Sequence, residues 1–153
     1  MILYRISNHP DLTGKGAELA PARWHTRAIG KRMVYLADHP ALSVLEMMAQ
    51  ADPGVDFPIS FNLLSVNVPD SLVETLASGE LRAGWPENVG LTRSLGDEWL
   101  RSRRSLALLV PTVLVPFAYN CLLNPHAAGA EDLALNQLGR FPLDERIRAA
   151  QRA

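Results

Sequence analysis

A chain of 153 residues with 48% hydrophobic and 20% charged residues has an ordinary globular composition, and it is long enough to bury roughly two-thirds of the surface its unfolded form exposes. Its 15 basic and 16 acidic residues leave a formal charge of -1, so nothing in the global balance attracts phosphate backbones and direct nucleic-acid binding is not expected. A single cysteine, Cys121, excludes an internal disulfide, and without a second cysteine or a spaced histidine pair it is a poor metal ligand, so no metal is expected.

Ile2 to Ile6 alternates weakly and predicts a first strand, followed by a long loop marked by Asn8, Pro10, Asp11, Gly14, Gly16 and Pro21. Met33 to Leu36 predicts a short strand, and Asp38 or His39 then precedes Pro40, a residue suited to the first helical turn. The helix it opens runs to about Ala51, with Ala41, Leu42, Leu45, Met48 and Ala49 as its core stripe. Ile59 to Val68 is rich in β-branched and aromatic residues and reads as a central strand.

Asp70 or Ser71 can cap a short helix ended by Gly79, with Ser71 and Glu74 at capping-box spacing. Gly90 to Arg104 predicts another helix, its interior weakened by Gly96. Ser105 opens the next strand, where Leu106 to Val110 and Val113 to Val115 are β-type runs divided by Pro111. A weak helical stretch lies near Glu131 to Gln137. Strands and helices interleave without a regular βαβ repeat, so the expected class is α+β, a single compact domain with mixed sheets and flanking helices.

Few residues declare chemistry by spacing alone. The four histidines lack metal-ligand spacing, and no Walker loop or G-x-G-x-x-G follows a strand, which disfavours a Rossmann mode of dinucleotide binding. Ser105 has no adjacent histidine or acid and no G-x-S-x-G surrounds it. Histidine is a residue type suited to acid-base work near neutral pH, but the sequence supplies no orienting partner for His25. Arg101, Arg103 and Arg104 cluster where cations complement a helix C-terminus or meet an acidic partner. No apolar run is long enough to span a bilayer and no cleavable leader pattern opens the chain, so the expected compartment is the cytoplasm.

Short blocks nevertheless follow one another in a specific order: Leu3-Tyr4-Arg5-Ile6, Arg23-Trp24 after a glycine-containing loop, Val34-Tyr35, and Leu45-Glu46. Leu95-Gly96-Asp97 with Trp99, then Ser105, Val110-Pro111, Val115-Pro116, and Asn120 with Leu122-Leu123-Asn124-Pro125 come next, and Phe141, Asp144 and Arg146 close the set. In this order the chain, read as one domain over residues 1–153, resembles the RES family, named for an arginine, a glutamate and a serine. Two departures stand out: Pro21-Ala22 replaces the usual glycine pair before Arg23-Trp24, and His25 replaces the usual asparagine after it.

The resemblance implies a bacterial toxin that consumes NAD, a mixed fold similar to the ADP-ribosyltransferases with NAD as substrate in a cleft, and restraint by an Xre-like helix-turn-helix antitoxin. Breaking the nicotinamide-ribose bond builds positive charge on the ribose, as in glycoside cleavage, and a carboxylate stabilises it. Glu46 is the candidate carboxylate. Arg23 matches a family arginine, and its planar donor fork suits a phosphate or ribose contact; Arg5 is assigned to the same pocket. Tyr35 can stack on a ring or bond ribose, and Trp24 can form a wall. Ser105 is a positioning hydroxyl toward Glu46 or a ribose oxygen, and Asn120 either bonds the ligand or fastens a turn. Water or phosphate is the expected acceptor. Transfer of ADP-ribose to a protein or nucleotide, and a catalytically silent module that only binds its antitoxin, are the competing expectations.

Overall fold

Apolar and β-branched runs from both ends of the chain pair into one mixed sheet. The computed structural model describes residues 1–150. Its strands are β1 Ile2–Ile6, β2 Val34–Ala37, β3 Ser60–Asn67, β4 Val73–Thr75, β5 Ala107–Pro111, β6 Tyr119–Leu123 and β7 Leu135–Pro142, in the spatial order β4-β5-β6-β2-β1-β3-β7. β4 and β5 run parallel and the other neighbours antiparallel. Four helices, α1 Gly16–Leu19, α2 Pro40–Ala49, α3 Val89–Ser102 and α4 Glu145–Ala150, accompany the sheet among the described residues. The architecture is α+β, and no helix among those residues is long and apolar enough to cross a membrane.

Strand alternation divides the core between two faces. On one face Leu3, Val34, Leu36, Val66, Ala107, Cys121 and Leu123 form a fully buried cluster. The other carries Leu108, Val110 and Leu122, against which the loop residue Trp24 and the α3 residues Trp99 and Leu100 pack. Burial pushes the Cys121 thiol up to about 12, so it stays protonated as a small hydrophobe.

α2 starts where the sequence offered two caps. His39 is the one used, its Nδ1 accepting the Ala41 N–H at 3.1 Å with Pro40 in the first turn. Asp38 instead accepts the Tyr119 N–H at 3.0 Å and ties α2 to β6. The inward stripe of α2 is rotated from the expected one: Leu42 and Ser43 are buried and Val44, Glu46, Met47 and Met48 half-buried, so that Leu42 and Met48 turn inward as expected while Ala41, Leu45 and Ala49 are exposed. α3 has its cap at Asn88, whose side chain accepts the Leu91 N–H at 3.0 Å, and it ends at Arg103 in the left-handed region.

Several expectations are corrected. The short helix sought between Asp70 and Gly79 is a pair of 3-10 turns flanking β4, because Val73 to Thr75 zip onto β5 and Glu74 is drawn to Arg104 and Ser105 rather than to a capping box. Val113 to Val115 is not a strand: the Thr112 N–H bonds the Ala118 carbonyl and closes a β5–β6 loop, and the returning strand is β6. The helical stretch near Glu131 to Gln137 is a 3-10 turn at Ala130–Asp132 followed by edge strand β7, whose pairing with β3 overrides helix propensity. β3 therefore lies one strand in from an edge rather than at the centre. Neither α1 inside the long loop nor α4 near the end follows from the sequence pattern.

Candidate active site

Glu46 enters from α2, which packs over β1 and β2. Its Oε1 accepts hydrogen bonds from Asn120 Nδ2 at 2.5 Å and from Thr112 Oγ1 at 3.0 Å. Asn120 shares its sheet face with Leu122, so α2 and α3 cover the same side and the carboxylate sits on the floor they share. Register places Val110, Asn120, Ala37, Tyr4 and Ser65 as successive partners across five strands. The row is polar at Asn120, Tyr4 and Ser65 and small at Ala37.

Both of these bonds fall on one oxygen and come from neutral groups. Among the described residues Oε2 accepts no hydrogen bond and no lysine or arginine pairs with Glu46. Two neutral donors fix the direction of a carboxylate without cancelling its charge, an arrangement that can answer a cation developing nearby. Thr112, which sequence reasoning passed over, also accepts the Leu114 N–H at 3.1 Å, so the β5–β6 loop holds the hydroxyl in place.

Arg23 lies on the same side, in a segment fixed at nearly every residue. Its Nη1 donates to the Pro86 carbonyl at 2.8 Å. Its own carbonyl accepts from Thr92 Oγ1 at 2.7 Å, the Ala22 carbonyl accepts from Arg93 Nε at 2.8 Å, and the Thr26 N–H donates to Asp97 at 3.1 Å. Gly96 completes this α3 face, where a Cβ would lie 1.8 Å from the Trp24 carbonyl oxygen. The glycine that weakens α3 on propensity alone is there so that the helix can approach the Arg23 segment. Trp24 is buried, with its ring centroid 6.1 Å from that of Trp85.

The Tyr35 hydroxyl is committed to the same segment: it takes the Trp24 N–H at 3.3 Å and lies 2.7 Å from His25 Nδ1. Burial pushes the phenol well above its usual pKa, so it remains a donor. His25, 2% exposed, has the orienting partners that the sequence did not reveal. Asp97 bonds Thr26 and pairs with Lys31 at 2.8 Å; burial opposes its ionisation, but hydrogen bonds from Lys31 and Thr26 outweigh that and hold the carboxyl below its ordinary range.

The structure therefore gathers Arg23, Tyr35, Glu46 and Asn120 on one side of the sheet. Arg5 is placed elsewhere. It alternates with Leu3 onto the opposite face, where its Nη1 meets the Asp11 carbonyl at 3.4 Å and burial lowers the guanidinium pKa against the influence of Asp11. Ser105 precedes β5 whereas Thr112 follows it, a separation of roughly 20 Å along an extended strand. Its hydroxyl accepts the Trp99 Nε1–H at 2.8 Å and donates to Glu74 at 3.1 Å. The hydroxyl beside Glu46 belongs to Thr112. A separate concavity of about 290 Å³ on α2 is lined by Pro40, Ala41, Val44, Phe61, Leu63 and Phe141 and offers no polar side chain to orient a dinucleotide.

An α+β domain with a side-chain carboxylate fixed over a mixed sheet, and a clamped arginine segment on the same face, is the class that the geometry defines. The RES domain profile matches residues 2–144, and the chain belongs to that family. It is 35% identical over 149 residues to the "Toxin Res" of Pseudomonas putida, covering 96% of this chain and 99% of that one. The "Toxin Res" of Photorhabdus laumondii is 32% identical over 160 residues, with 99% and 100% covered. A Sphingobium protein named "Prs ADP-ribosylating toxin" is 33% identical over 142 residues, with 90% and 86% covered.

Proposed function

We propose that this RES-domain toxin cleaves the nicotinamide-ribose bond of NAD, with water or phosphate as acceptor. One observation carries the reading: the Glu46 carboxylate is aimed by Thr112 and Asn120 and, among the described residues, forms no ion pair. As nicotinamide leaves with the bonding electron pair, positive charge spreads over the ribose ring, and Glu46 stabilises it electrostatically. Arg23 contacts phosphate or ribose, and Asn120 and Thr112 keep the carboxylate from swinging away. Restraint by an Xre-like helix-turn-helix antitoxin is part of the same proposal, since the relatives are named toxins. Expression of the wild type is expected to deplete cellular NAD and expression of Glu46→Gln to leave it intact; equal depletion by both removes Glu46 from the mechanism.

A second reading has its own support in the name of the Sphingobium relative, which describes ADP-ribosylation. The same bond breaks, and a protein nucleophile takes the place of water or phosphate. Adenylate-labelled NAD distinguishes the two: label on a macromolecule means transfer, whereas free ADP-ribose or its phosphorylated form means hydrolysis or phosphorolysis.

A further inference from the structure

The Arg23 segment is held from three sides, and the joint between two of them is a histidine at the position where the family pattern has asparagine. His25 Nε2 lies 3.0 Å from the Ala20 carbonyl and 3.2 Å from the Ala17 carbonyl. Carbonyls only accept, so Nε2 carries the proton, and in the neutral ring Nδ1 is then an acceptor. The Tyr35 O–H therefore donates to Nδ1, leaving its oxygen to accept the Trp24 N–H. Each polar atom of this buried chain has a role assigned by its neighbours, and a reversed tautomer would set a lone pair against two carbonyls.

We infer that His25 is a positioning residue: as the Nε2–H tautomer it aims the Tyr35 hydroxyl, fixes the Trp24 amide, and through that amide sets the direction of the adjacent Arg23 side chain toward the substrate's phosphate or ribose. The assignment rests on the NAD reading for the identity of the ligand, and on the hydrogen-bond chain alone for the tautomer and the clamp. It gives Tyr35 a task beneath the site rather than within it.

Two substitutions divide the ring. His25→Asn places a carbonyl oxygen near the position of Nδ1 and can still accept from Tyr35, whereas His25→Gln keeps a donor toward α1 and leaves the Tyr35 hydroxyl without its acceptor. The expected result is a KM for NAD within about twofold of wild type for His25→Asn and roughly tenfold higher for His25→Gln, with kcat moving less in both. Tyr35→Phe should match His25→Gln, and the double variant should be no worse than either. Nitrogen-15 spectra of the wild type should show the Nε2–H tautomer. The Nδ1–H tautomer, or variants with lowered melting temperatures but unchanged KM, would overturn the assignment. If folded wild type leaves NAD intact, the functional reading fails separately. The clamp is then judged by proton exchange at Arg23 Nη, which must accelerate in His25→Gln and not in His25→Asn; equal exchange refutes it.

Discussion

Replacing Gly96 with alanine sets two effects of opposite sign against each other. Helix propensity favours alanine over glycine by roughly 0.5–1 kcal/mol in a helix interior. At Gly96, however, the new Cβ would lie 1.8 Å from the Trp24 carbonyl oxygen, 2.8 Å from its carbon and 3.1 Å from its Cβ. The obstruction is backbone, so no rotamer relieves it, and α3 and the Arg23 segment must part by more than an ångström (about 1.2 Å) merely to restore a tolerable contact. Overpacking of this kind costs about 1–3 kcal/mol. Because the obstruction is backbone the upper end of that range applies, and less the helix gain the net loss is about 2 kcal/mol, which lowers the melting temperature of a domain this size by roughly 4–8 °C.

Gly90 provides the comparison on the same helix, since a Cβ there meets only Asn88 Oδ1, at 3.5 Å. Thermal denaturation should rank Gly90→Ala at or above wild type and Gly96→Ala well below it. An unchanged or raised midpoint for Gly96→Ala would refute the close approach and, with it, the claim that α3 fixes the Arg23 segment.

The two hydroxyls flanking β5 should separate stability from activity. Ser105→Ala strands the Trp99 Nε1–H and should cost about 1–3 kcal/mol in chemical denaturation with kcat/KM unchanged after allowance for folded fraction. Thr112→Val should lower kcat/KM roughly tenfold or more, and Thr112→Ser should restore it; a Thr112→Val enzyme with full activity would show that the carboxylate needs no second donor. Asp97 supplies a pH dependence: because its folded-state pKa is depressed, its stabilising contribution is present above the unfolded carboxylate value of about 4 and is lost as pH falls through the lower folded value. Asp97→Asn should flatten that acid limb, and an unaltered limb would mean that the Lys31 and Thr26 contacts do not persist in solution.

What the sequence made legible was local and strongly patterned. Pro40 after a capping residue announces α2, weak alternation announces β1, and a β-branched and aromatic run announces β3. What it concealed depended on partners distant in the chain. β7 is largely exposed and exists because β3 offers it a ladder, and β4 is a three-residue segment recruited by β5. Glu46 and Asn120 follow from the family pattern, whereas Thr112 does not, because the β-type composition of Val113 to Val115 disguises a connecting loop as a strand. Pairing Leu106–Pro111 against Tyr119–Leu123 as a hairpin brings Thr112 beside Asn120. Gly96 was visible but misjudged, since propensity records the cost of glycine and not what approaches it.

Whether a carboxylate held by Thr112 and Asn120 serves cleavage of NAD is decided by incubating purified, partner-free protein with NAD, with and without phosphate, and resolving the products by chromatography. Under this role of Glu46, wild type should release nicotinamide, with any phosphate dependence identifying the acceptor, and folded Glu46→Gln should release at least a hundredfold less (about 3 kcal/mol of lost transition-state stabilisation). Nicotinamide release at equal rates by both proteins, or an unchanged NAD peak from folded wild type, would contradict it.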